Sequence, residues 1–420
     1  MSTSSPHVML LGVGAFAHAV MRILKENGAK VSCYLTRSYG HYGPSLEGEV
    51  YPASYFPSPV RFVRDKKVDL LIPMSIDWIL QPWAEELLSL NVPIFSPFGD
   101  AMKLERERDL GRQLCERFGV AFPRAYVARN RLEAEAILKS DPLPYVIKNP
   151  LCSPTSPIHT IVCESAGDTL HWLERLDYAE GVFLQEYMGR AEAGHIAVVS
   201  SGEIYSLVTN QEYKRAFNGN MGIVAGAPLG GLAEKDSNDK YGLARDLLHP
   251  LLPWFRETNF HGPVQVTAAK RDGKWHVLEY NVRMGVTSTQ MILRLLKNPF
   301  EVIYNTARNQ KVALQFRGNL QFGASLTLAG FGYPYVSVQG PRLPVKLIEP
   351  PTCDLWWNEV AEDALGGLVM TGHRIADIVA VADSLDRAIA LVYENIRKLK
   401  CLSSYYRTDI GMSLWPPGND

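Results

Sequence analysis

The fold is first indicated by residues 8–26, which read VMLLGVGAFAHAVMRILKE. Val8 to Leu11 is a short apolar run, Gly12-Val13-Gly14 is a turn, and Ala19 to Glu26 has the amphipathic pattern of a helix that ends at Asn27-Gly28. An apolar strand that turns into a helix is the repeating unit of a parallel α/β sheet. This stretch therefore predicts an α/β protein that begins with a doubly wound sheet.

Apolar strands of the same kind recur over about the first 120 residues. They are Lys30 to Leu35, Val68 to Pro73 and Val92 to Phe95, and a helix is predicted after Asp77. Short strands that alternate with helices favour a parallel order of the strands. We expect one doubly wound domain here.

The pattern changes further along the chain. Beyond Phe122-Pro123, short strands flank a helix and predict a small α+β lobe. From Glu192 the strands lengthen, and Arg271-Asp272-Gly273 suits the tight turn of a hairpin. Beyond Gln315 we expect a separate C-terminal lobe. The predicted regions are 1–122, 123–190, 191–318 and 319–420.

Composition excludes several classes of protein. The 420 residues are 46% hydrophobic and 21% charged, with 43 basic and 44 acidic side chains. A net charge of −1 gives no field that would attract nucleic acid or an anionic membrane, so any phosphate-bearing ligand needs a local site. No signal peptide and no run of ~20 apolar residues is present, which predicts a cytoplasmic protein. The six cysteines have no metal-ligand spacing and are expected to be free thiols.

The strongest local signal of a site is Glu279-Tyr280-Asn281-Val282-Arg283. Residues two apart on a strand share a face, so Glu279, Asn281 and Arg283 converge. Carboxylate and amide oxygens suit Mg²⁺ between ATP phosphates, and a guanidinium suits a phosphoryl or carboxylate oxygen. Gln265, on the other arm of the hairpin, is a candidate third metal ligand. The alternative is the polar outer face of an edge strand.

Two further segments suit a nucleotide. Lys148 ends an apolar strand, and an ammonium beside a core needs an anion such as a phosphate, unless it reaches the surface. Gln185-Glu186-Tyr187-Met188 ends another strand and is followed by Gly189 and Glu192. This order is typical of a hinge whose backbone meets adenine while a carboxylate accepts ribose hydroxyls.

Two glycine-containing turns are weaker signals. Gly12-Val13-Gly14 lacks the third glycine of a dinucleotide fingerprint, so it favours a phosphate at a helix N-terminus over a nicotinamide site. Lys214-Arg215, followed by Gly219-Asn220-Met221-Gly222, supplies two cations and a flexible turn. A solvated loop is the alternative interpretation of the second turn.

Taken in order, five motifs resemble the glycinamide ribonucleotide synthetase (phosphoribosylamine–glycine ligase) branch of the ATP-grasp superfamily. The resemblance covers nearly the whole chain. The motifs are Gly12 to Ala19, Val92 to Pro97, Gln211 to Arg215, Glu279 to Gly285, and Gly372 to Arg374 together with Tyr406 to Gly411.

The resemblance implies a pre-ATP-grasp domain (1–122), small and large ATP-grasp lobes (123–190 and 191–318) and a C-terminal domain (319–420). It implies a ligase of purine biosynthesis that forms glycyl phosphate from glycine and ATP. The amine of phosphoribosylamine then attacks the acyl carbon and phosphate leaves. Mg²⁺ or Mn²⁺ and a monomer or homodimer are also implied. On this basis the catalytic residues are Arg283 and Lys214, the metal ligands are Gln265, Glu279 and Asn281, the ATP-binding residues are Arg108, Lys148, Gln185, Glu186, Tyr187, Met188 and Glu192, and the substrate-binding residues are Gly12, Gly14, His18, Asp77, Arg215 and Gly222.

Three departures from the family keep two alternatives open. The glycine-rich loop is replaced by Leu151 to Pro157, which contains two prolines, and Arg-Glu of the first motif is Phe16-Ala17. The family's Asp-Pro-Glu-Thr is Val286 to Thr289. These changes suit a ligase with another amine substrate or a nucleotide-binding protein without activity.

Overall fold

A computed structural model describes residues 5–38, 40–152, 160–330, 332–335 and 342–412. The α-helices in these ranges are α1 (Gly14–Glu26), α2 (Tyr42–Ser45), α3 (Val60–Asp65), α4 (Ala84–Ser89), α5 (Lys103–Arg106), α6 (Arg108–Phe118), α7 (Arg131–Ser140), α8 (Ala166–Leu173), α9 (Leu243–Leu247), α10 (Leu252–Glu257), α11 (Ser288–Leu295), α12 (Pro299–Ala307) and α13 (Leu385–Ile396).

The strands are β1 (His7–Gly12), β2 (Lys30–Leu35), β3 (Glu49–Pro52), β4 (Leu70–Pro73), β5 (Ala125–Ala128), β6 (Tyr145–Lys148), β7 (Ile161–Val162), β8 (Val182–Glu186), β9 (Ala193–Ser200), β10 (Glu203–Glu212), β11 (Arg215–Phe217), β12 (Met221–Val224), β13 (Gly230–Lys235), β14 (Gly262–Arg271), β15 (Lys274–Asn281), β16 (Phe322–Ala329), β17 (Pro344–Leu347), β18 (Asp354–Trp357), β19 (Val360–Glu362), β20 (Leu368–Met370), β21 (Arg374–Ala382) and β22 (Leu399–Cys401).

The first sheet is parallel, in the order β3-β2-β1-β4, and confirms the predicted α/β fold. Strand β1 is buried along its whole length, which explains its unbroken apolar sequence. The predicted strand Val92 to Phe95 makes only a bridge at Ile94. Around Asp77 the chain forms a short 3-10 turn, Ile76–Leu80, and then the predicted helix, α4. Strand β3 was not predicted, because Glu49–Pro52 is short and only partly apolar.

A small antiparallel sheet, in the order β5-β8-β6-β7, carries helices α7 and α8. Its core includes Tyr145, Ile147 and Leu184, each fully buried. This is the α+β lobe that the sequence predicted after Pro123.

The largest sheet has eight strands, in the order β15-β14-β9-β10-β13-β16-β21-β18. It joins strands from both sides of residue 318, so the C-terminal region is continuous with the preceding lobe. A further four-stranded sheet, β19-β20-β17-β22, belongs to the C-terminal region alone. The predicted division of the chain into regions 1–122, 123–190, 191–318 and 319–420 stays a proposal. Among the described residues, no helix combines the length and the apolarity that crossing a membrane requires.

The hairpin β14–β15 positions the candidate metal ligands. Its turn uses Asp272 and Gly273, whose φ angles of 52° and 75° are the positive values predicted for Asp-Gly. The register pairs Gln265 with Asn281 directly across the two strands. Their side chains therefore lie on the same face of the sheet.

Candidate functional site

A cleft of about 450 Å³ separates the small antiparallel sheet from the eight-stranded sheet. Residues of both sheets line this cleft, and so do residues of the segment between β8 and β9. The predicted site residues that line the cleft are Lys148, Gln185, Glu186, Tyr187, Met188, Glu192, Lys214, Arg215, Gln265, Glu279, Asn281 and Arg283. Arg108 and Gly222 are not among its lining residues.

Glu279, on β15, is the anionic centre of the cleft. Its Oε1 lies 3.4 Å from Lys214 Nζ, and its Oε2 lies 3.5 Å from Arg108 Nη1. Burial opposes ionisation, but Lys214, Lys148 and Arg108 outweigh it and hold the pKa of Glu279 far below its ordinary value. The side chain is still 28% exposed, so this carboxylate is ionised and accessible from the cleft.

The oxygens around Glu279 suit a hard divalent cation. Asn281 lies two residues along the same strand, and Gln265 faces Asn281 across the hairpin. All three side chains line the cleft and offer oxygen ligands, the donors that Mg²⁺ prefers. The residues present therefore fit Mg²⁺.

Arg283 follows β15 and is held in place by a residue that the sequence did not single out. Its Nε donates to Glu105 Oε1 at 3.1 Å, and its Nη2 donates to Asn281 Oδ1 at 3.3 Å. Glu105 Oε2 also accepts the Val282 backbone N–H at 2.6 Å. Glu105 is 5% exposed and comes from α5, so it fixes the end of β15 from another part of the chain. Its position in a short polar helix gave no signal of this role.

Lys148 ends β6 and points between the two sheets. Its Nζ donates to Gln185 Oε1 at 2.7 Å and to the Leu278 carbonyl at 3.2 Å. Burial, together with the nearby cations Arg108 and Lys214, lowers the pKa of the Lys148 ammonium to about 8. The Lys148 ammonium donates to these neutral oxygens, so its positive charge is available to a phosphate that binds in the cleft.

This shifted pKa predicts how nucleotide affinity depends on pH. Because the Lys148 pKa falls from 10.5 to about 8, the ammonium is charged below that pH and neutral above it. We expect affinity for a non-hydrolysable ATP analogue with Mg²⁺ to decline as pH rises through about 8. Calorimetry between pH 6 and 10 measures this. Lys148→Arg, which stays charged, should give a flat profile, and the same decline in that variant would contradict the assignment.

The residues predicted to form a hinge, Gln185 to Glu192, lie at the end of β8 and in the connection from β8 to β9. The Glu186 carboxylate pairs with Arg271 and Arg124. Arg271 Nη2 also donates to the Tyr187 carbonyl at 3.1 Å, which fixes the backbone of the segment. Glu192 lies further on, with its Oε2 3.0 Å from Lys214 Nζ. The carboxylate of Glu192 thus faces the cleft, while that of Glu186 is engaged by the two arginines.

Lys214 bridges the carboxylates of the cleft. Burial lowers its pKa, but Glu192, Glu279 and Glu212 outweigh it and raise the pKa above its ordinary value. Glu212 was not among the predicted residues, although it belongs to the quoted Gln211 to Arg215 motif. Burial raises the pKa of the Glu212 carboxyl. Its place two residues before Lys214, on the same side of an extended chain, is the signal that would have identified it.

Arg215 and Gly222 belong to the hairpin β11–β12 beside the cleft. Arg215 Nη1 donates to the Gly222 carbonyl at 2.9 Å, and its Nη2 lies 3.4 Å from Glu164 Oε1. Glu164 also pairs with Arg190 at 2.7 Å. Arg215 therefore ties the hairpin to the small lobe, while its side chain lines the cleft.

The predicted substrate residues of the N-terminal region lie elsewhere. Gly12, Gly14, His18 and Asp77 do not line the cleft. The Gly14 N–H donates to the Gly40 carbonyl at 2.8 Å, and Ala15 N–H donates to Asn358 Oδ1 at 3.2 Å, so these helix amides are already bonded.

Neighbouring side chains also contact Gly12 and Asp77. A Cβ on Gly12 would lie 2.6 Å from Met74 Cγ. Asp77 Oδ2 accepts a hydrogen bond from Ser75 Oγ at 2.9 Å. The structure thus brings none of Gly12, Gly14, His18 and Asp77 to the cleft.

His18 is predicted to contribute to stability. It is 3% exposed, its Nδ1 accepts the Trp357 N–H at 3.0 Å, and its Nε2 lies 3.4 Å from Glu47 Oε1. We expect His18→Ala to lower the free energy of unfolding by about 1–3 kcal/mol, since the Trp357 N–H loses its acceptor. Urea titration measures this loss. Unchanged stability with weakened binding of an amine substrate would instead return His18 to the substrate site.

The loop that replaces the family's glycine-rich segment, Leu151 to Pro157, is described only at Leu151 and Cys152. Residues 153–157 lie outside the described residues, so the effect of the two prolines stays a prediction.

Comparisons with known proteins were made for the whole chain. Searched against models of known protein families, the chain matches none. A phosphoribosylamine–glycine ligase of Fusobacterium nucleatum is 23% identical over 423 residues, covering 96% of this chain and 98% of that protein. The crystal structure of a phosphoribosylamine–glycine ligase from Thermotoga maritima has a TM-score of 0.77 and 22% identity, covering 96% of this chain and 99% of that one.

A second structure extends the likeness of fold. A biotin carboxylase from Campylobacter jejuni in complex with β,γ-ATP has a TM-score of 0.70 and 14% identity, covering 95% of this chain and 92% of that one. The chain is thus similar over nearly its whole length to phosphoribosylamine–glycine ligases and has the ATP-grasp fold. This confirms the resemblance found in the sequence.

Proposed function

We propose that this chain is an ATP-dependent carboxylate–amine ligase that works through an acyl phosphate. The observation that carries the proposal is the Glu279 carboxylate, which lines the cleft and is paired with both Lys214 and Arg108. Asn281 and Gln265 share its face of the hairpin, and Lys148 reaches the same cleft from the other sheet. Cations and oxygen ligands in this arrangement suit the triphosphate of a nucleotide and its metal ion.

The roles follow from charge and position. Lys148, Arg108 and Lys214 would hold ATP phosphates, and Glu192 would accept the ribose hydroxyls beside the hinge backbone. Gln265, Glu279 and Asn281 would hold Mg²⁺, or Mn²⁺ in its place, which neutralises phosphate charge when bound. Arg283 would steady the carboxylate as it attacks the γ-phosphorus, with ADP leaving. The amine then attacks the acyl carbon and inorganic phosphate leaves.

Glycine and phosphoribosylamine are the first substrate pair to test, because the curated relative carries that name. We expect ADP release that requires both compounds. Glycine alone should scramble ¹⁸O between the β,γ-bridging and β-nonbridging positions of ATP, since an acyl phosphate forms reversibly before the amine reacts. Binding of Mg·ATP without ADP release from any pair would contradict the ligase and favour a nucleotide-binding protein without activity.

A ligase with another amine substrate is the second candidate. It is favoured by the closed N-terminal turn, where Ala15 N–H is bonded to Asn358 and Phe16 and Met74 pack beside it. With glycine and ATP supplied, phosphoribosylamine should be compared with amines that carry no phosphate. Faster ADP release with a phosphate-free amine would support this candidate.

Sedimentation would test the predicted monomer or homodimer in the same preparation.

A further inference from the structure

The C-terminal motif Tyr406 to Gly411 was singled out in the sequence but has no part in the proposed reaction. Within it, Arg407 is 1% exposed, although an arginine is rarely buried to this degree. Its Nε and Nη2 form a two-pronged pair with Asp409, at 2.8 and 2.6 Å. The guanidinium is therefore fixed in one orientation.

The free edge of this guanidinium contacts both neighbours of Lys214. Arg407 Nη1 donates to the Arg215 carbonyl at 3.0 Å, 192 residues earlier in the chain. The guanidinium carbon also lies 4.9 Å from the centre of the Tyr213 ring, within range of a cation–π contact. Lys214 is thus held from the residue before it and from the residue after it.

Further hydrogen bonds join the same two segments. Arg407 Nη1 donates to Asn220 Oδ1 at 3.0 Å, and Asp409 Oδ2 accepts the Gly219 N–H at 2.9 Å. The Gly411 N–H donates to the Tyr213 hydroxyl at 2.8 Å. The C-terminal segment therefore anchors the whole turn that follows Lys214.

We infer that Arg407 is a positioning residue that holds the Lys214 ammonium against Glu279 and Glu192 for the reaction. Arg407 touches no substrate in this assignment and acts only through the Tyr213–Arg215 backbone. The inference rests on the proposed function, since Lys214 is assigned to the phosphates there. Displacing a reacting group by about 1 Å costs on the order of 100-fold in rate, so loss of this anchor should reduce turnover.

A double-mutant cycle tests the inference. We expect Arg407→Gln to lower kcat about 100-fold and to raise KM for Mg·ATP, because Lys214 holds the phosphates, while KM for the carboxylate substrate changes by less than about twofold. Lys214→Met should lower kcat by a similar factor, and the double variant should fall no further, because both changes remove one function. Multiplication of the two single losses in the double variant would overturn the inference.

A control variant and a replacement variant distinguish a loss of positioning from a loss of folding. Arg294→Gln removes an arginine pair with Asp354 away from the cleft, so it should lower the urea midpoint while kcat stays that of the wild type. Equal losses of kcat in Arg294→Gln and Arg407→Gln would also overturn the inference. If Arg407→Gln does not fold, Asp409→Asn replaces it in the cycle as the milder change to the same anchor, with the same outcomes deciding.

Failure of the proposed function gives a different result. A wild-type protein that binds Mg·ATP without turnover contradicts the ligase alone. The same cycle is then run on affinity for a non-hydrolysable ATP analogue with Mg²⁺. Loss of affinity in Arg407→Gln that disappears in the Lys214→Met background supports positioning, and additive losses overturn it.

Discussion

Replacing Glu279 by glutamine is expected to lower ATP-dependent turnover roughly 100- to 1000-fold. The carboxylate lies 3.4 Å from Lys214 Nζ and 3.5 Å from Arg108 Nη1, and Lys148 adds a third positive charge nearby. A neutral amide leaves these cations without their shared anion and removes the charged ligand from the proposed metal site. The measurements are kcat for ADP release and its dependence on Mg²⁺ concentration.

Glu234→Gln is the matched control for this prediction. Glu234 is a buried carboxylate on β13 that accepts hydrogen bonds from Lys240 Nζ at 2.9 Å and Tyr241 Oη at 2.7 Å, away from the cleft. Its loss should cost about 1–3 kcal/mol of stability and leave kcat unchanged. Wild-type turnover and wild-type Mg²⁺ dependence in Glu279→Gln would refute the assignment of Glu279.

Replacing Arg283 by lysine should lower kcat roughly 100-fold while KM for Mg·ATP changes little. The guanidinium bonds Glu105 through Nε and Asn281 through Nη2, which directs its remaining N–H groups to the cleft. A lysine ammonium has no such fork and cannot keep both contacts while it faces a carboxylate. Steady-state kinetics with each substrate varied in turn separates kcat from KM.

Arg294→Lys is the control for loss of an arginine fork. Arg294 donates from Nε and Nη2 to Asp354 at 2.6 and 2.9 Å, outside the cleft. We expect a small loss of stability and normal kcat. A rise in KM for Mg·ATP in Arg283→Lys, with kcat preserved, would place Arg283 in nucleotide binding rather than in the chemical step.

Local patterns in the sequence predicted much of the fold and of the candidate site. The strand–turn–helix at residues 8–26 and the hairpin around Asp272-Gly273 were predicted from spacing and turn chemistry alone. Alternation on one strand also predicted that Glu279, Asn281 and Arg283 would share a face. These predictions succeed because each depends on residues close together in the chain.

Contacts between distant segments were beyond such reasoning. No local pattern connects Asn358 with the turn at Gly14, or Trp357 with His18, yet these contacts occupy groups that the sequence assigned to a substrate. Glu105 and Arg407 hold site residues 178 and 192 positions away in the chain. The continuity of the eight-stranded sheet across residue 318 is of the same kind.

The sequence by itself determined the α/β start of the chain, the β14–β15 hairpin and the shared face of Glu279 and Asn281, because backbone periodicity and turn geometry act over a few residues. Only the tertiary structure decided which helix amides stay free, which carboxylates position Arg283 and what anchors Lys214. Those outcomes depend on burial, which brings together polar groups from opposite ends of the chain and requires each to find a partner.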